Sequence, residues 1–216
     1  RPTIYFNLGL AYSRSGRSQA ALSAFRSAAA LDPSNPQIPY ALGLTLTKVG
    51  RLREAIEVLR LANQLASEKA EVLTTLGMVY GLADQPGEAV RSLESAVSHG
   101  ARDANTYYFL GVAYRCLGRN QNALSSLRSA LDADPNHAGA RCALGEVYWR
   151  LGRYREAIAA LEMALRKAPS SAQAHLFLGL AYWETDQAEP SVEHLRWAVQ
   201  LDPGGETGRR ARAVLE

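Results

Sequence analysis

Residues 107–119 read YYFLGVAYRCLGR, and nearly the same phrase returns as YFNLGLAYSRSGR at 5–17 and HLFLGLAYWETDQ at 175–187. A phrase copied at fixed spacing implies a stacked array rather than one globular core, so the spacing decides the fold. Gly9, Gly43, Gly77, Gly111, Gly145 and Gly179 stand 34 residues apart, and the residue before each is Leu: Leu8, Leu42, Leu76, Leu110, Leu144 and Leu178. Three residues after each Gly come Tyr12, Leu46, Tyr80, Tyr114, Tyr148 and Tyr182. Twelve after come Ala21, Ala55, Ala89, Ala123, Ala157 and Ser191, and the register never slips.

These residues resemble the tetratricopeptide repeat family, whose 34-residue unit places an aromatic at position 4, Leu-Gly at 7 and 8, Tyr at 11, Ala at 20, an aromatic or Leu at 24, Ala at 27 and Pro at 32. In that numbering six units run 2–35, 36–69, 70–103, 104–137, 138–171 and 172–205, covering 204 of the 216 residues. Position 24 reads Phe25, Leu59, Leu93, Leu127, Leu161 and Leu195, and position 27 is Ala throughout. Pro33, Pro135, Pro169 and Pro203 hold position 32, while Ser67 and Ala101 replace it in the second and third units and leave those junctions less rigidly punctuated. Pro39, Arg141 and His175 stand at position 4 where an aromatic is usual, and Pro190-Ser191 opens the last second helix, which a first turn tolerates.

The pattern has a physical reading of its own. Positions 4, 7, 8 and 11 share one face of a helix, and 20, 24 and 27 share a face of a second, so each unit is an antiparallel pair. Glycine inside a helix costs about 1 kcal/mol relative to alanine, so six of them imply a packing need. Gly16-Arg17, Gly50-Arg51, Gly118-Arg119 and Gly152-Arg153 read as first-helix stops, with Asp84-Gln85 and Asp186-Gln187 in their place elsewhere. The fold class expected is all-α: an α-solenoid of six antiparallel helix pairs over 1–205, which the resemblance implies is a right-handed superhelix, with 206–216 (ETGRRARAVLE) as a short capping helix. At the other end Ile4 and Ala11 should be bare, and the start at Arg1-Pro2 inside a helical pattern suggests a fragment or a processed form.

Composition narrows function. Apolar residues make up 47%, charged residues 21% and the net charge is +3, with 21 of 24 basic residues Arg and no polybasic block, so neither nucleic acid nor membrane is demanded as a partner. No apolar run approaches the roughly 18 to 20 residues that cross a bilayer. Cys116 and Cys142 fall about eight residues apart along parallel neighbouring helices, roughly 12 Å at 1.5 Å per residue and beyond disulfide reach. Two free thiols lean toward a reducing compartment, so the location expected is cytoplasmic, or periplasmic or membrane-anchored if a leader has been removed.

An array of this kind has no pocket of its own, so function rests on residues its packing does not need. By resemblance, positions 2, 5, 9 and 12 or 13 line a concave groove. Position 5 reads Phe6, Tyr40, Thr74, Tyr108, Cys142 and Leu176; position 9 reads Leu10, Leu44, Met78, Val112, Glu146 and Leu180. Trp149 and Trp183 hold position 12, and Phe109 and Phe177 add bulk at position 6. Aromatics at positions 5 and 12 also serve packing in this family, so the position 9 aliphatics are the stronger sign of a partner-facing floor. Arg14, Lys48, Arg115 and Arg150 form a basic edge for acidic groups, interrupted by Glu71, Glu146 and Glu184.

Two family specialisations are missing. The chaperone-carboxylate clamp would need Lys, Asn, Asn, Lys and Arg where this chain has Phe6, Leu10, Ala41, Glu71 and Thr75, and an asparagine ladder at position 6 has only Asn7. His99, His137, His175 and His194 occupy unrelated repeat positions without metal-ligand spacing, GGETG at 204–208 lacks the spacing and Lys of a phosphate loop, and no nucleophile, base and orienting acid assemble. The expectation is a non-enzyme with no cofactor and no metal. It would hold a protein or peptide segment with apolar anchors and acidic flanks, as an adaptor in a bacterial complex for pilus assembly, motility, polarity or secretion. The alternatives are a regulatory segment of a larger enzyme and a scaffold that self-associates through its end faces. RNA binding is disfavoured by the strict period and the apolar groove.

Overall fold

The computed structural model describes residues 1–216 and contains thirteen α-helices and no strand. The first helices of the six repeats are α1 (Pro2–Arg14), α3 (Gln37–Lys48), α5 (Ala70–Leu82), α7 (Ala104–Cys116), α9 (Ala138–Arg150) and α11 (Ala172–Trp183). Their partners are α2 (Ser18–Leu31), α4 (Leu52–Leu65), α6 (Pro86–Ser98), α8 (Asn120–Ala133), α10 (Tyr154–Lys167) and α12 (Ala188–Leu201), and α13 (Glu206–Leu215) follows. The chain divides into two compact units, residues 1–102 with three helix pairs and residues 103–216 with three pairs and α13. No helix is long and apolar enough to cross a membrane.

The repeated glycine explains how close the two helices of a pair come. A methyl group placed on Gly43 would stand 2.5 Å from Leu59 Cγ, on Gly111 2.6 Å from Leu127 Cγ, and on Gly9 2.6 Å from the Phe25 ring. Real carbon atoms do not approach that closely, so position 8 has no room for a side chain while the position 24 residue of the same repeat fills its notch. Phe25, Leu59, Leu93, Leu127, Leu161 and Leu195 are all fully buried there, and the position 27 alanines are equally sealed. Ser191 stands where the other repeats have Ala, and its buried hydroxyl donates to the Gly179 carbonyl at 2.8 Å, so the extra oxygen is satisfied rather than orphaned.

Turns within each pair follow one geometry. Gly16, Gly50, Gly118 and Gly152 adopt φ of +70° to +76°, and Asp84 and Asp186 take the same left-handed conformation at +55° and +59°. The following amide then reaches back to the position 11 carbonyl, as from Arg17 to Tyr12 and from Gln187 to Tyr182, both at 2.9 Å, which closes the helix end. Between repeats, Asp32, Asp134, Ala168 or Asp202, each at φ between −134° and −145°, leaves the helix and leads into the proline. Where proline is missing the chain reverses through left-handed Ser67 and Glu68, or through Gly100, so those junctions have a defined turn of another kind.

Residue 206 continues the 34-residue register, and α13 packs as a further first helix would. Its Ala211 sits fully buried against Leu176, Leu195 and Ala198, with Leu180, Val199 and Leu215 around them, so the expected capping helix is formed. On α1, Ile4 is 61% exposed and Ala11 is also open, although the residues at these register positions in later repeats are buried.

Gly111→Leu should force α7 off α8 and lower stability by about 3 kcal/mol, the upper range for overpacking a sealed contact. Urea unfolding followed by circular dichroism measures this, and an unchanged midpoint would contradict the close-contact role.

Candidate functional site

In the first unit the 34-residue spacing puts Phe6 and Leu10 of α1, Tyr40 and Leu44 of α3, and Thr74 and Met78 of α5 on equivalent faces, and all six are half-buried. A cleft of about 320 Å³ opens there, walled by Phe6, Leu10, Tyr40, Leu44 and Val72, with Lys69 and Glu71 among its polar lining. The Phe6 ring is anchored on Phe25, centroids 5.8 Å apart, so one wall is fixed by the core of its own repeat. The Tyr40 hydroxyl donates to Glu71 Oε1 at 3.1 Å and lies 3.2 Å from Thr75 Oγ1. Burial pushes its pKa up, so the phenol stays a neutral donor at physiological pH. Arg14 and Lys48 are exposed on the same two helices, as a basic edge requires.

The second unit is built differently. Tyr108 and Val112 of α7, Cys142 of α9 and Gln173 of α11 line a smaller cleft of about 180 Å³, together with Arg115. Tyr108 packs against Phe109 and His137 at 5.3 and 4.8 Å. Burial raises the Cys142 thiol to about 11, so it remains protonated and unreactive near neutrality. Cys116 and Cys142 are both free, the first exposed and the second buried.

Three expectations need correction here. Leu176 is only 1% exposed, sealed by α13 and α12, and is out of a partner's reach. Phe177 is likewise buried, with the Arg210 guanidinium over its ring at 5.5 Å. The basic edge is also altered in this unit, because Glu146, 1% exposed, draws Arg115 inward, whereas Arg150 stays exposed while bonding the same carboxylate. Arg115 Nη1 lies 2.5 Å from Glu146 Oε1, and Arg150 donates to that oxygen from Nη2 at 2.8 Å and Nε at 3.0 Å. Gln173 Nε2 donates to the other oxygen at 2.8 Å. The signal for this cluster was present as one carboxylate in an aliphatic column with Arg four residues on, but whether the arginines point outward or inward is a packing outcome. Of the remaining residues, Val112 and Leu180 are half-buried, Trp149 packs its ring on Phe177 at 5.5 Å, and Trp183 is 56% exposed.

Sequence models of the tetratricopeptide repeat match residues 6–70 and 142–206, and another of the same description matches 102–170. The chain belongs to the tetratricopeptide repeat family, whose members serve as scaffolds for protein–protein interaction. No curated protein sequence matches it. Among solved structures it is similar to YrrB, described as a TPR protein with an unusual peptide-binding site, at 24% identity over 88% of this chain and 98% of that one, TM-score 0.68. It is similar to PilW, a type IV pilus biogenesis factor, at 18% identity over 100% and 98%, TM-score 0.83. PilF of Pseudomonas aeruginosa aligns at 18% identity over 99% and 97%, TM-score 0.80.

Replacing Glu146 by Leu would leave the largely buried Arg115 guanidinium without a counter-charge, and breaking a buried pair in this way costs about 3–5 kcal/mol. Urea denaturation should show that loss, with Glu146→Gln losing less because the amide oxygen still accepts; equal stability of wild type and Glu146→Leu would contradict the assignment.

Proposed function

We propose that the protein is an adaptor that holds an extended or helical segment of a partner protein, with its main anchor site in the cleft of the first unit. The observation that carries this reading is the state of Leu10, Leu44 and Met78, which are aliphatic in three successive repeats yet only half-buried. The fold does not consume them, whereas Leu176 at the neighbouring stripe is sealed. A cleft with apolar walls, on helices that also carry the exposed cations Arg14 and Lys48, suits a segment with bulky apolar side chains and acidic flanks. Likeness in fold to PilW and PilF supports a bacterial complex such as pilus assembly as the setting, and the peptide-binding site named for YrrB supports the mode. The free, unreactive Cys142 is compatible with the cytoplasm as its location.

The test is affinity capture from the native host with the wild-type chain and with the double variant Leu44→Glu, Met78→Glu, both verified as folded by circular dichroism. A charge at Leu44 in the cleft and another at half-buried Met78 on the stripe beside it should reduce recovery of specific partners by on the order of tenfold or more. Recovery of the same proteins in equal amounts would contradict the assignment.

A further inference from the structure

His175 on α11 and His194 on α12 face each other with their Nδ1 atoms 3.0 Å apart. His175 is only 8% exposed, and its Nε2 lies 3.0 Å from the carbonyl oxygen of Pro169 in the turn between α10 and α11. A carbonyl only accepts, so Nε2 carries a proton, the neutral His175 ring offers Nδ1 as acceptor, and His194 Nδ1 donates across the gap. The His194 ring is stacked on Tyr182 at 5.7 Å, and the Tyr182 hydroxyl donates to Glu162 Oε1 of α10 at 2.8 Å. Trp197 of α12 stacks on His175 at 6.0 Å. The two imidazoles thus tie α10, the Pro169 turn, α11 and α12 together with one shared proton.

Further protonation works against this arrangement. A proton on His194 Nε2 keeps the bond but puts a cation on a half-buried ring; a proton on His175 Nδ1 sets two N–H groups and two like charges against each other across 3.0 Å. We propose that the His175–His194 pair is a proton-operated latch on the last repeat, closed when both rings are neutral and opened by acid, which frees α12 and α13 while α7 and α8 stay packed.

Charged neighbours pull on His194 in both directions. Burial and then His175 hold His194 below the usual histidine value, with Glu193 of α12 and Glu162 of α10 pulling the other way. On α9, Glu146 bonds Gln173 rather than either imidazole, and on α13 Arg210 lies over Phe177. Because His194 is lowered in the fold from an unfolded value near 6.5, its stabilisation is complete above about pH 6.5 and is lost as the pH falls below it.

Hydrogen exchange of the whole chain at about pH 7.5 and about pH 5.5, corrected for intrinsic rates, tests the latch across the range where histidine titrates. Protection in α12 and α13 should drop by up to about tenfold per pH unit, with little change in α7 and α8, and His175→Phe with His194→Gln should abolish the drop while His99→Gln keeps it. In the wild type, the His194 ring signals should titrate below the ordinary histidine range by nuclear magnetic resonance. An equal response to acid in wild type and double variant overturns the proposal. If the double variant does not fold, a His194 titration at or above about 6.5 overturns it instead.

Discussion

The contact between a side-chain-free position 8 and the branched or aromatic residue sixteen places later governs everything else in this molecule. At Gly43 or Gly111 a single added carbon would fall inside the van der Waals envelope of Leu59 or Leu127. With that notch filled, the two helices of a pair lie close enough for Ala at positions 20 and 27 to complete the seam. Interiors this dense tolerate little change in volume, so one small residue per repeat sets the separation of the pair and, with it, which faces remain for other uses.

What remains differs between the two units. In residues 1–102 the stripe beside the seam stays aliphatic and half-open, and the cleft it borders has a tyrosine held in place by Glu71 and Thr75. In residues 103–216 the same register positions are spent on internal structure: Glu146 binds two arginines and a glutamine, and Leu176 disappears beneath α13. One repeat template therefore yields an open surface in one place and a closed polar knot in another, depending on single residues at positions 5 and 9.

The helix pairs, their turns and the cap were legible in the sequence because each depends on local chemistry repeated six times. Gly16 and Asp84 announce the same left-handed turn whatever surrounds them, and a conserved spacing within one chain tells which faces meet. That Phe6, Leu10, Tyr40 and Leu44 would border one cleft was legible for the same reason. Side-chain direction was not: Arg115 reads as part of a solvent edge until the buried Glu146 is seen beside it, and four histidines at unrelated register positions gave no hint that two of them touch. The Arg115–Glu146 and His175–His194 pairings join residues 31 and 19 apart through the packing of separate helices, which no periodicity encodes.

The most direct measurement compares glycine-to-alanine changes at two kinds of helical site by urea denaturation. Gly43 and Gly77 face a buried leucine, while Gly81 and Gly87 have open space where a Cβ would stand. If close contact is the reason for the repeated glycine, Gly81→Ala and Gly87→Ala gain about 1 kcal/mol from helix propensity, whereas Gly43→Ala and Gly77→Ala lose stability through overpacking of about 1–3 kcal/mol that exceeds the same gain. Stabilisation at all four positions would contradict it.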